Sequence, residues 1–117
     1  MMILVANRIR VAAPHASAFE AMLATRAALV DGMPGFLGIQ LLRPTKDGEP
    51  YLTQTFWATR DHFEAWLRSD EFAKGHARMG ALPTDTFRSH SRAEIHEVFH
   101  TAPATMSPRV DHASDVR

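Results

Sequence analysis

Residues 36–57, FLGIQLLRPTKDGEPYLTQTFW, hold two apolar, β-prone runs around a short polar break. Phe36 to Arg43 and Tyr51 to Trp57 have the composition and length of strands. Between them Lys46-Asp47-Gly48-Glu49-Pro50 has turn chemistry, with Gly48 as the residue that tolerates a positive φ. A connection this short makes the two strands antiparallel neighbours.

The elements on either side extend the pattern. Upstream, Met2 to Val11 alternates and is rich in Ile, Leu and Val, which predicts a strand. Pro14 and the alanine-rich stretch from His15 to Val30 predict an amphipathic helix, ended by Asp31-Gly32 and Pro34-Gly35. Downstream, Thr59 is placed to cap a helix reaching about Arg68, with Phe63, Trp66 and Leu67 on one face. Ser69 caps a second helix to about Met79, with Asp70 and Glu71 in the first turn, where the helix dipole favours acids. Gly80 to Ser91 reads as loop and Arg92 to Phe99 as the last strand. From Thr101 onward Pro, Ser, Ala and Asp dominate, so residues 1–100 form the domain and 101–117 a disordered tail.

The order is β-α-β-β-α-β, the ferredoxin-like α+β pattern, with a four-stranded antiparallel sheet covered on one face by helices. The first strand carries Met2, Leu4 and Ala6 on one side and Ile3, Val5 and Ile9 on the other. Phe36 to Leu42 is apolar on both sides as well. A sheet apolar on both faces is buried on both. The simplest cover for the second face is another copy of the chain, giving a two-fold homodimer that closes into a dimeric α+β barrel.

Composition narrows the function. A chain of 117 residues with 45% hydrophobic and 22% charged residues is an ordinary globular domain. Equal numbers of basic and acidic residues, 13 each, argue against nucleic acid or an anionic membrane as partner. The absence of cysteine excludes disulfides, zinc–thiolate sites and thiolate nucleophiles. No apolar run has the length of a membrane span, and the start MMILVANRIRV is too short and too quickly charged for a signal peptide. A cytoplasmic protein is expected.

Three polar residues break the apolar pattern. Asn7 interrupts the face Ile3, Val5, Ile9, Val11; Arg26 falls on the stripe Phe19, Met22, Leu23, Val30; His76 falls between Phe72 and Met79. Buried polar groups are costly without partners. Three of them suggest a shared ligand, apolar in bulk, that carries a metal and an anion. Heme, with its macrocycle, iron and two propionates, has that chemistry. Each residue also has a plain structural reading. His76 can be the axial iron ligand or a core-edge histidine bonded to a carbonyl. Asn7 can donate on the distal side or satisfy the sheet edge or a bulge. Trp66 can distort a flat ligand or simply pack helix to sheet. Arg26 can pair with a propionate or extend its head to water at the stripe edge. His90, His96 and His100 make a weaker candidate metal set, with no well-placed carboxylate.

The same residues carry a resemblance. Asn7, the stretch Met33-Pro34-Gly35-Phe36-Leu37-Gly38, the hairpin Leu41-Leu42-Arg43-Pro44 to Thr55-Phe56-Trp57, and Phe63-Glu64-Ala65-Trp66 followed by His76 resemble the heme-degrading monooxygenases. These belong to the dimeric α+β barrel superfamily, which also holds the antibiotic-biosynthesis monooxygenases. The likeness covers roughly Met2 to Phe99. The Pro-Gly-Phe turn and Phe-x-x-Trp helix belong to the whole superfamily; Asn7, Trp66 and His76 together are what resemble the heme-degrading branch. The resemblance implies His76 as axial ligand, Asn7 as distal hydrogen-bond donor and Trp66 as the residue that presses the porphyrin out of plane. It implies heme as substrate and cofactor, and dioxygen as co-substrate. Where the branch often places a basic and an aromatic residue one turn before the matching Arg26, this chain has Met22 and Leu23. Heme contacts from that turn, and from Phe63, are then apolar, and propionate anchoring leans on Arg26. No flavin or nicotinamide motif is present, so a reductase or small reductant is implied as electron donor. The alternatives are a cofactor-free monooxygenase acting on an aromatic quinol or polyketide-like substrate, and a non-enzymatic heme-binding or regulatory dimer.

Overall fold

The computed structural model describes residues 1–88 and 92–102. Seven main elements follow in the expected order: β1 (Ile3–Ile9), α1 (Ala16–Val30), β2 (Phe36–Leu42), β3 (Tyr51–Trp57), α2 (Arg60–Leu67), α3 (Asp70–Gly80) and β4 (Arg92–Glu97). The strands form one antiparallel sheet in the order β2-β3-β1-β4. This is the ferredoxin-like architecture.

Local chemistry accounts for the element ends. The Thr59 hydroxyl accepts from the His62 amide at 3.2 Å, and the Ser69 hydroxyl from the Phe72 amide at 3.1 Å, so both expected caps form. Gly48 turns the hairpin at φ 85°. Gly35, at φ 77°, ends the α1–β2 link, and the His62 ring fills the space where a Cβ would stand. β1 stops at Ile9 rather than Val11, because Val11 pairs outside the sheet, across an isolated bridge to Phe87. The loop after α3 is partly ordered by a 3-10 turn at Thr84–Thr86, tied to Ala12 by a 2.7 Å backbone bond. β4 ends at Glu97, two residues before the expected Phe99. The expected tail lies outside the described residues from 103 on. Among the described residues no helix is long and apolar enough to cross a membrane.

Direct cross-strand partners share a face of the sheet. Asn7 pairs with Thr53 and with Ala93, Val5 with Thr55 and Ile95, and Ile9 with Tyr51, so these residues face the helices. Two apolar clusters lie in that layer. One joins Ile3, Val5, Val30, Trp57, Phe63 and Trp66; the other joins Ile9, Phe19, Met22, Leu23 and Tyr51. The opposite face carries Leu4, Leu42, Leu52 and Phe56, with Gln40 opposite Gln54 and an Arg8–Glu94 ion pair at 3.1 Å. It is therefore mixed rather than uniformly apolar. A bulge between Phe36 and Gly38 turns Leu37 outward, 55% exposed.

Candidate functional site

The two apolar clusters leave a cleft of about 280 Å³ between them, roofed by α1, α2 and α3 and floored by the sheet. Val5, Ile9, Leu23, Ile39, Phe63 and Trp66 make much of its wall. Asn7, Arg26 and His76, which break the pattern on three separate elements, all line this one space. Of the site residues expected from sequence, Leu23, Phe63 and Trp66 join them, whereas Met22 does not. Met22 points into the second core cluster, one helical position away from the cleft.

Each polar group is under-used by the protein. Asn7 sits on the central strand β1, so its side chain is not satisfying a sheet edge. Its Nδ2 reaches the Thr53 hydroxyl at 3.5 Å, a loose contact that leaves donor capacity free. His76 is exposed on α3, and its ring stacks on Phe72 with centroids 5.7 Å apart and planes at 28°. Among the described residues no hydrogen bond engages its imidazole nitrogens. Arg26 is half-buried, with its guanidinium carbon 5.5 Å from the Phe72 ring centroid. Among the described residues it has no ion-pair partner. Burial pulls its pKa below the usual arginine range, because desolvation penalises the cation. A charge so placed is relieved by an incoming anion.

Trp66 is 6% exposed and is the rigid part of the wall. Its ring stacks on fully buried Trp57 at 6.4 Å and 28°, and meets Phe72 edge-on at 5.5 Å. Trp57 is itself fixed, donating Nε1–H to the Thr55 hydroxyl at 2.9 Å. Trp66 thus packs helix to sheet and also faces the cleft.

Thr53, Thr55 and Leu41 also line the cleft and were missed in the sequence. The signal was available for the threonines: Tyr51, Thr53, Thr55 and Trp57 alternate along β3, and the pairing with Asn7 puts them on its face. Beside the cleft, sharing Leu23 and Leu41 with it, a second hollow holds Glu20, Arg43 and Tyr51. Arg43 grips Glu20 with two 2.7 Å bonds, and the Tyr51 hydroxyl donates to the same carboxylate at 2.6 Å. Of the three candidate histidines, two lie among the described residues. His96 lies on the open sheet face opposite Leu4, His100 lies beyond β4, and His90 is outside the described residues. Among the described residues no group of three His, Cys, Asp or Glu is placed to hold a metal ion.

The chain is a ferredoxin-like domain with an apolar, aromatic-walled cleft beneath its helices. The chain belongs to the antibiotic biosynthesis monooxygenase family, whose profile matches residues 2–78. It is 39% identical over 89 residues to a heme oxygenase (mycobilin-producing) of Mycobacterium tuberculosis, covering 76% of this chain and 84% of that one. Its fold is similar to the heme-degrader MhuD of the same organism, solved with two hemes bound in its active site. The TM-score is 0.68 at 32% identity, over 86% of this chain and 99% of that one. It is also similar to SnoaB, a cofactor-independent oxygenase from Streptomyces nogalater, with TM-score 0.71 at 27% identity over 88% and 98% of the two chains.

Proposed function

We propose that this protein is a heme-degrading monooxygenase that takes heme into the cleft as both substrate and cofactor and opens it with dioxygen, releasing iron. The observation that carries the reading is the convergence of Asn7, Arg26 and His76, from three elements, on one space walled by Trp66 and Phe63. The likeness to SnoaB and to MhuD is comparable in TM-score, so fold alone does not choose between heme and cofactor-free chemistry. The residues and the 39% identical heme oxygenase favour heme.

Among the described residues the donor set fits the ligand: an imidazole without a hydrogen-bond partner, an amide with a loose one, and a half-buried cation without a carboxylate. Heme, when bound, supplies the iron at which dioxygen is reduced and the ring carbon that is oxidised. His76 would offer a ring nitrogen to the metal, and its stacking on Phe72 restricts the imidazole plane. Arg26 would hold a propionate by charge-assisted hydrogen bonds. Asn7, steadied by Thr53, would donate an amide hydrogen toward reacting oxygen and steer it by electrostatic placement. Trp66, backed by Trp57, would bear on one face of a flat ligand. Leu23 and Phe63 would add apolar contacts that keep water from the bound ring. Electrons would come from a reductase or small reductant, and a second copy of the chain would cover the open sheet face.

Hemin titration of the purified protein tests the reading, followed by a reductant in air. A Soret shift, then bleaching and iron release, is the expected result. A Soret band that persists under reductant and air would instead mean a heme-binding module. No shift at all would favour the cofactor-free oxygenase, the second reading, which the likeness to SnoaB supports.

A further inference from the structure

Gly75 is the buried residue of α3, one position before His76. Glycine inside a helix weakens it relative to alanine, because its unfolded backbone has more freedom to lose. The surroundings supply a compensating reason. A Cβ built on Gly75 would stand 3.0 Å from Arg26 Cγ, 3.3 Å from Nε and 3.4 Å from Cδ. All three nearest atoms belong to Arg26, so its side chain lies lengthwise over the bare backbone of α3. The guanidinium at the end of that track sits over Phe72, 5.5 Å from the ring centroid. Phe72 and Gly75 are three residues apart and so are neighbours on the helix surface. The turn of α1 before Arg26 contributes Met22 and Leu23, neither of them charged.

We propose that Gly75 is the positioning residue for Arg26. Its missing side chain opens the track across α3, and Phe72 is the platform on which the guanidinium comes to rest, forming an anion subsite at the edge of the cleft beside His76. The proposal rests on the heme reading, under which the anion is a carboxylate on the rim of the macrocycle. Arg26 is the one arginine or lysine among the described residues that line the cleft. Its placement therefore sets how far binding depends on the ligand's carboxylates.

The test uses two probes with the same iron and ring: hemin, and hemin dimethyl ester, whose carboxylates are masked. Wild type, Gly75→Ala, Arg26→Met and the double variant are titrated with each, and unfolding of each apo-protein is recorded. Wild type should bind the diacid roughly tenfold or more tightly than the ester, the scale of one charge-assisted bond. Arg26→Met should abolish that preference. Gly75→Ala should remove most of it with no loss of thermal stability, since alanine strengthens α3 and the flexible arginine stem yields. The double variant should match Arg26→Met alone, because both act through one group. Phe72→Leu keeps the track, removes the platform, and should also lower the preference. A Gly75→Ala protein that keeps the full preference, or is less stable with the preference intact, overturns the proposal and leaves Gly75 a packing residue. Wild type that binds both probes equally overturns it while sparing the heme reading. Wild type that binds neither overturns both.

Discussion

Replacing His76 with alanine separates a ligand from a structural histidine, because the two roles carry different magnitudes. The imidazole is exposed, and its recorded contact is stacking on Phe72 at 5.7 Å. Such a pair is worth about 0.5–1.5 kcal/mol, toward the lower end when one ring faces water. Alanine returns up to about 0.7 kcal/mol of helix propensity. The two offset to within about 1 kcal/mol, which limits the change in the apo midpoint to about 4–8 °C. The liganded state behaves differently. At free hemin of about 100 Kd the wild type gains about 2.7 kcal/mol, roughly 10–20 °C. If His76→Ala weakens binding about a hundredfold, the same hemin concentration gives about 0.4 kcal/mol. Thermal unfolding of both proteins, with and without hemin, together with the Soret spectrum, reads these quantities. A fall in the apo midpoint well beyond about 8 °C would make His76 structural. An unchanged spectrum with a full hemin-induced rise would put the iron on another histidine. His62, hydrogen-bonded to Thr59 through Nδ1 at 2.8 Å, would be the first to test.

The site and the assembly yield further expectations. Asn7→Ala loses only a 3.5 Å contact, so stability should fall by less than about 1 kcal/mol, while bleaching at saturating hemin slows by about 10²–10³; unchanged turnover per bound heme would make the residue structural. Trp66→Phe should lower both turnover and stability, the latter by roughly 1–3 kcal/mol, because the indole stacks on Trp57 and meets Phe72; lost stability with full turnover would reduce it to a wall. If two copies close over Leu4, Leu42, Leu52 and Phe56, the unfolding midpoint rises with protein concentration and Leu52→Arg yields a less stable monomer; a monomer by light scattering with a concentration-independent midpoint removes the barrel. Arg43 and then Tyr51 hold the Glu20 carboxyl at about 2, below its ordinary 4.5. A folded pKa below the unfolded one stabilises above pH 4.5, and the contribution is lost as pH falls toward 2. Glu20→Gln should flatten that part of the stability profile, and profiles that stay parallel across this window would show the cluster to be energetically silent.

Much of the fold was legible because local signals agreed with one another. Thr59 and Ser69 announced two helix starts, Gly48 announced the hairpin, and the alternation in β1 and β3 announced strands. Boundaries were less legible. Val11 is as β-prone as Ile9, and only its bridge to Phe87 takes it out of the sheet. The face of each strand was legible, but its surroundings were not. Gln40, Gln54, Arg8 and Glu94 mix polar groups into a face whose leucines suggested a uniform apolar surface.

The amino-acid pattern by itself determined the element order, the antiparallel sheet, and the three positions where a polar residue interrupts an apolar stripe. Those are properties of period and composition, set within a turn or a strand. Tertiary structure decided that Asn7, Arg26 and His76 open onto one space, that Met22 turns away from it while Leu23 stays, and that Thr53 stands beside Asn7. It also set the Arg26 side chain against Gly75, an approach that exists only once α1 packs on α3. Contacts between residues dozens of positions apart depend on strand register and on how closely two helices approach, and no local propensity encodes either distance.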